Sequence, residues 1–243
     1  DALKYRDYLI AKGMAGSSVS RVISSIRAVM NFAISEYALD LKNPFVGMYH
    51  DRLAGVSKRL PIPIEDIRKV QQQCLSLDDD LRWLVALVSD TGMRLAEVSG
   101  LLKTDIILDE DIPFIRVQPH SWRKLKTAGS ERDVPLVGVS LWAAQRLLDA
   151  YPDSGYAFPR YNKTTITNAN SASAALNKWL HPYVPNGCTM HSFRHSMRDR
   201  LRAVECPADV VDQIGGWTTG GVGQGYGSGY SLEVCFRWMK KME

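Results

Sequence analysis

The sequence predicts an α+β fold that is mainly helical, with a basic helical segment followed by a larger helical domain holding a small antiparallel sheet. Three observations predict it. Apolar residues recur at three- and four-residue spacing through most of the chain. Alternating polarity is confined to two short stretches, Ile112 to Val117 and Asp133 to Leu136. A segment rich in Gly and Pro, residues 45–63, separates the two parts and puts the domain boundary near residue 60.

Residues 1–13 read as the end of a helix, with Leu3, Tyr5, Tyr8 and Leu9 at helical spacing. Gly13 and Gly16 break it, and Ser17 or Ser18 is the expected cap of a second helix running to about Tyr37. That helix carries Val19, Val22, Ile23, Ile26, Val29, Met30, Phe32 and Ala33 on a broad apolar face, with Arg21, Ser25 and Arg27 opposite. Pro63 is well suited to starting the next helix. A buried helix from Asp78 to Ser89, a break at Thr91-Gly92 and a short helix from Arg94 to Leu102 come next. A polar, basic connection over residues 118–132 joins the two expected strands, and helices are expected at about 139–150, 168–181, 190–203, 207–215 and 231–241. No internal repeat is evident.

The 243 residues are 45% hydrophobic and 23% charged, an ordinary globular composition. The longest apolar run, Leu84 to Val88 after Trp83, is far too short to span a membrane, and no signal peptide is visible. The chain begins with Asp1 inside a helical pattern and reads as a fragment of a longer protein. Cys74, Cys188, Cys206 and Cys235 show neither CxxC spacing nor a His cluster, which argues against a zinc site and suits a reducing cytosol. Residues 1–60 carry nine Lys or Arg against five Asp or Glu, so the whole net charge of +4 sits there. The basic N-terminal part fits a polyanionic partner.

Four separated pieces carry candidate chemistry. In Thr91-Gly92-Met93-Arg94-Leu95-Ala96-Glu97-Val98, Arg94 opens a helix after a glycine turn, and a surface pair with Glu97 three residues on is the plain alternative. The stretch from Lys124 to Leu136 reads as a basic hairpin from which a lysine can reach a phosphate or leaving oxygen, or as a solvated turn. In Met190-His191-Ser192-Phe193-Arg194-His195, His191 and Arg194 share a helix face and can form a phosphate clamp. Ile214-Gly215-Gly216-Trp217 leads into a glycine-rich run up to Tyr226 and Tyr230, which lacks the GxxxxGK[ST] pattern of a nucleotide cradle.

Taken in order, an Arg, a Lys on a hairpin, His-x-x-Arg, Gly-Trp and a Tyr resemble the tyrosine site-specific recombinases, the phage integrase family. The motifs cover residues 91–230. The resemblance implies a tyrosine-recombinase catalytic domain over residues 61–243, preceded by a helical core-DNA-binding domain and linker over residues 1–60. It implies a DNA recombinase that cuts and rejoins strands through a 3′-phosphotyrosine intermediate, integrating or excising a phage or other mobile element. Arg94 and Arg194 are then the phosphate clamp, His191 a donor or proton aid, and Lys126 the general acid, with Lys124 the less favoured choice. Trp217 stands where many relatives have histidine; its indole can donate but cannot act as a base. Tyr226, nine residues after Trp217, matches the family spacing for the nucleophile, with Tyr230 its competitor. Glu97 is expected to orient Arg94. No metal, cofactor or ATP is implied. The expected partners are double-stranded DNA, contacted in part by Arg21, Arg27 and Lys124, and further copies of the chain as a tetramer on synapsed DNA, with no membrane. The terminal helix is expected to pack either on a neighbouring protomer or on its own domain. The implied location is the cytoplasm of a bacterial host, at the nucleoid. Two other readings are a type IB topoisomerase-like enzyme and a catalytically silent DNA-binding module on the same fold.

Overall fold

A computed structural model describes residues 1–56, 59–163, 165–217 and 229–243. The chain divides into two compact units, Asp1–Lys58 and Arg59–Glu243. In the first, helices α1 (Ala2–Ala11) and α2 (Gly16–Glu36) pack through Leu9, Val19 and Ile23, with Phe45 and Met48 closing over them. The start of α2 differs from the serine cap expected. Ala15 stands at the N-cap without a side-chain bond, and Gly16 N–H donates instead to the Ala54 carbonyl at 2.7 Å. A contact from residues distant in sequence thus satisfies a donor that a serine was expected to satisfy. Arg21 is exposed on α2 and Arg27 half-buried. Their six-residue step turns them about 120° apart, so they do not share one face.

The second unit is built around α4 (Asp80–Thr91), which packs against α3 (Ile64–Leu77), α6 (Gly138–Asp149) and α8 (Ser192–Ala203). Every residue of α4 from Leu84 to Thr91 is buried, as expected of a helix apolar on all sides. Asp79 caps its start by accepting from Arg82 N–H at 3.1 Å. Near its end, buried Asp90 accepts from Val139 N–H at 3.0 Å, so a carboxylate from α4 caps α6. Arg200 on α8 and Gln71 on α3 both donate to the other oxygen of Asp90, tying four helices to one carboxylate.

Strands β1 (Ile106–Ile107), β2 (Phe114–Val117) and β3 (Arg132–Pro135) form an antiparallel sheet in that order, with Ile107 opposite Phe114 and Val117 opposite Arg132. A two-stranded ladder, β4 (Asn162–Lys163) with β5 (Ile166–Thr167), precedes α7 (Ala169–Leu180). Two-residue strands show no alternation, which is why β1, β4 and β5 were not expected. The terminal helix α10 (Leu232–Lys241) packs on β3 and α8 of its own unit and buries Cys235 and Met239. The four cysteines are free and buried. No helix of the described residues is long and apolar enough to cross a membrane.

Gly92 ends α4 in the left-handed region, φ +57°. A Cβ there would lie 2.6 Å from Met197 Cε and 2.9 Å from Met197 Cβ. Gly92→Ala therefore combines backbone strain with overpacking and should cost about 1–3 kcal/mol in urea unfolding. Gly155→Ala, with nothing within 4 Å of the added carbon, should stay within about 0.5 kcal/mol of the parent in the same assay.

Candidate functional site

The C-terminus of helix α9 (Ala208–Gly215) organises the site. A helix ends with carbonyls that have no partner in the helix and with the negative end of its dipole. Here three successive carbonyls each accept from a different arginine. Ile214 O takes Arg132 Nε at 2.8 Å, Gly215 O takes Arg194 Nη2, and Gly216 O takes Arg94 Nη2 at 3.1 Å. The three arginines come from β3, from α8 and from the residue preceding α5 (Leu95–Ser99). Residues 94 and 194, a hundred apart in the chain, therefore converge on one helix end.

Arg94 does not begin α5 but stands at its N-cap, where its backbone N–H donates to Glu97 Oε2 at 2.9 Å. Its Nη1 donates to Glu97 Oε1 at 2.6 Å and to Ser130 Oγ at 3.1 Å. Glu97 is not a surface partner. It is 3% exposed and also accepts from Arg132 Nη2 at 3.1 Å. Burial alone would raise its carboxyl pKa, but the charge and hydrogen bonds of Arg132, with those of Arg94, outweigh burial and hold it below the usual value.

Arg194 is 4% exposed. Its Nη1 donates to Gly92 O at 2.9 Å, and its guanidinium lies 4.2 Å from the Trp217 ring centre. Burial, then the like charges of Arg94 and Arg132, push its pKa down to about 9, so it stays charged at neutral pH. Arg198 stacks on Trp217 at 4.8 Å and pairs with Asp212 at 3.0 Å. The Trp217 ring lies so close to Gly215 that a Cβ there would come within 1.9 Å of it, which fits the Gly-Trp pattern.

His191 sits at the N-cap of α8 with its ring open to solvent on one side. With Arg59, Asn170, Ser173 and Asn177 it lines a cleft of about 340 Å³. Partial burial of the ring, then the positive charges of Arg59, His195, Arg194 and Lys126, depress its pKa to about 4. It is therefore neutral at pH 7 and can donate one hydrogen bond. Lys124 and Lys126 are exposed on the connection between β2 and β3, and neither forms an ion pair among the described residues.

Tyr226 and most of the glycine-rich run lie outside the described residues, so its placement is not part of this geometry. Tyr230 is engaged elsewhere. Its hydroxyl donates to Asp209, which raises its pKa, and Gln213 grips its backbone N–H and carbonyl, each at 2.7 Å. Asp209 lies six residues before Gly215 on α9, about 9 Å along the axis from the arginine cluster. Arg21 and Arg27 belong to the other unit. Sequence reasoning gave no role to Arg132, Ser130, Arg198 or the buried Arg123. Among the described residues no group of three His, Cys, Asp or Glu side chains could hold a metal ion.

The fold, a helical domain with a three-stranded sheet, is shared with known DNA integrases. The Tn1549 transposon integrase, solved in complex with circular intermediate DNA, aligns with 99% of this chain and 84% of its own at a TM-score of 0.67 and 17% identity. Lambda integrase, solved as a tetramer bound to a Holliday junction, aligns with 91% of this chain and 62% of its own at 0.64 and 13% identity. Tyrosine recombinase XerD of Halalkalibacterium halodurans is 29% identical over 151 residues, which span 60% of this chain and 46% of that protein. The profile of the phage integrase family matches residues 64–227. The chain belongs to the phage integrase family of tyrosine recombinases.

Glu97→Gln should leave Arg94 and Arg132 short of a counter-charge and cost on the order of 3–5 kcal/mol at pH 7. Because the folded pKa of Glu97 is lowered, its stabilisation is present above the unfolded value of about 4.3 and is lost as pH falls through the folded one. Chemical denaturation at several pH values should show the gap between parent and variant closing on the acid side.

Proposed function

We propose that this chain is the catalytic part of a site-specific DNA recombinase that cuts and rejoins duplex DNA through a 3′-phosphotyrosyl bond to Tyr226. The observation that carries this reading is the convergence of Arg94, Arg132 and Arg194 on the last carbonyls of α9. The segment leading to Tyr226 departs from that same helix end. Unit Arg59–Glu243 would hold the chemistry, and unit Asp1–Lys58 would be the helical core-DNA-binding domain.

A phosphodiester repels nucleophiles by its own charge. Arg94 and Arg194 hold its two non-bridging oxygens and stabilise the charge that grows in the pentavalent transition state. Neutral His191 and the Trp217 indole add donors. The Tyr226 hydroxyl gives its proton to the acceptor nitrogen of neutral His191 and its oxygen bonds to phosphorus, while the phosphorus–O5′ bond breaks. The electron pair goes to O5′, which takes a proton from the Lys126 ammonium. A tyrosine pKa of about 10 means that the nucleophile needs this positive surrounding. Reversal of the same steps with a new 5′-hydroxyl rejoins DNA without ATP.

The exposed Lys124, together with Arg21 and Arg27 of the first unit, would contact phosphates. A tetramer on synapsed DNA, as lambda integrase forms on a Holliday junction, is the proposed assembly. Mobile-element integration or excision in a bacterial cytoplasm, at the nucleoid, is the proposed setting.

Duplexes from a random-sequence library, nicked so that the released strand diffuses away, should become covalently attached to the protein. Mass mapping should find the nucleotide on Tyr226. Tyr226→Phe should abolish capture and Tyr230→Phe should retain it; the reverse pattern would move the nucleophile to Tyr230. Arg94→Ala should slow capture by about 10²–10³-fold, the scale of losing one transition-state donor.

A further inference from the structure

We infer that Arg123 is a positioning residue for the reaction, holding the segment that delivers Lys126 to the leaving oxygen. The inference rests on the general-acid reading of Lys126. Arg123 is 3% exposed, yet among the described residues no carboxylate accepts a hydrogen bond from it. One arm of its guanidinium donates to Glu97 O at 2.5 Å and another to Gln118 O, while buried Nε has no partner among the described residues. Burial lowers its pKa. A buried cation held by neutral carbonyls is costly for stability alone. Its two acceptors, however, lie on the elements that matter here. Glu97 belongs to α5, whose N-cap is Arg94, and Gln118 follows β2, where the connection carrying Lys126 begins.

The connection is held on both sides of Lys126. Upstream, His120 and Arg123 exchange backbone hydrogen bonds at 3.0 and 3.1 Å, closing a tight turn. His120 bonds the fully buried Asp105 at 2.8 Å and stacks on Trp122 at 4.6 Å, so this turn is fixed to the domain. Downstream, Thr127 Oγ1 and Ser130 Oγ are 2.9 Å apart, and Ser130 Oγ accepts from Arg94. Only residues 124–126 lie between these anchors. A free three-residue span reaches about 10 Å. Both anchors close on Arg94 and Glu97, so the ammonium of Lys126 is tethered to the element that carries one arm of the phosphate clamp. The depressed pKa of His191, to which Lys126 contributes, is consistent with that proximity.

The test compares two versions of a captured duplex, one with the normal 5′-oxygen leaving group and one with a bridging 5′-sulfur at the cleaved phosphate. A thiolate leaves without being protonated, so loss of a general acid slows only the oxygen substrate. Lys126→Ala should be slowed strongly on oxygen and little on sulfur. Arg123→Met should follow the same pattern more weakly, roughly 10- to 100-fold on oxygen and under about threefold on sulfur, against the 10²–10⁴-fold scale of a general acid. Arg123→Lys, which keeps a donor, should recover part of the oxygen rate, and it carries the comparison if Arg123→Met fails to fold. Equal slowing of the Arg123 variants on both substrates, or no slowing, overturns the inference while leaving Lys126 as the acid. Equal slowing of Lys126→Ala on both overturns the general-acid reading, and the inference with it.

Discussion

Three guanidinium groups drawn onto the last three carbonyls of one short helix are the interaction on which this site depends. Like charges at such spacing repel by several kcal/mol unless dipoles and counter-charges surround them. α9 supplies the dipoles through Ile214, Gly215 and Gly216, and Glu97 supplies a carboxylate that bonds two of the three arginines, Arg94 and Arg132. Trp217 adds its ring, 4.2 Å from the Arg194 guanidinium. Burial first, and then the like charges of Arg94 and Arg132, lower the pKa of Arg194 to about 9. Three cations against one anion leave the cluster with an excess of positive charge.

The rest of the unit serves to keep these groups from separating. Arg194 lies on α8, which is fastened to α4 through Arg200 and Asp90. α4 ends at Gly92, whose carbonyl is itself a partner of Arg194. Two residues further on, Arg94 caps α5 and closes on Glu97. The core helix, the left-handed glycine and the arginine pair thus form one continuous chain of contacts. A change in α4 packing would be felt at the arginine cluster without any substitution in the cluster itself. His191, exposed at the rim, is held neutral at pH 7 by partial burial of its ring and by the surrounding cations.

Local spacing exposed most of the helices and the two residues with clear motif context. Arg94 follows a glycine turn and Arg194 follows His191 at one helical step, patterns that a single sequence displays. Arg132 and Arg123 are invisible in the same way, because a lysine or arginine beside a polar connection reads as solvated. Only the folded chain shows that Arg123 is buried, that the Arg132 side chain is 5% exposed, and that both bond Glu97, one through its carbonyl and one through its carboxylate. The start of α2 was missed for a related reason, since its first donor is satisfied from Ala54, thirty-eight residues away in sequence. The nine-residue spacing selects Tyr226, with Tyr230 its competitor. The bonds of Tyr230 to Asp209 and Gln213 are contacts that spacing alone does not show.

Charge arithmetic links the fold to the proposed chemistry. Arg94, Arg132 and Arg194 against Glu97 leave a local charge of about +2 in a site mostly closed to water. A phosphodiester brings −1 in the ground state, and a pentavalent phosphorane brings close to −2. The match therefore improves as the phosphorus–O5′ bond stretches, which is the condition for lowering a barrier rather than merely tightening binding. Because the cations are already fixed by α9, little reorganisation is left for the moment of reaction. The exposed Lys126 adds no charge to that buried group. It is consistent with this that Lys126 lies on an exposed connection at the edge, from which an ammonium can approach the leaving oxygen without joining the buried charge.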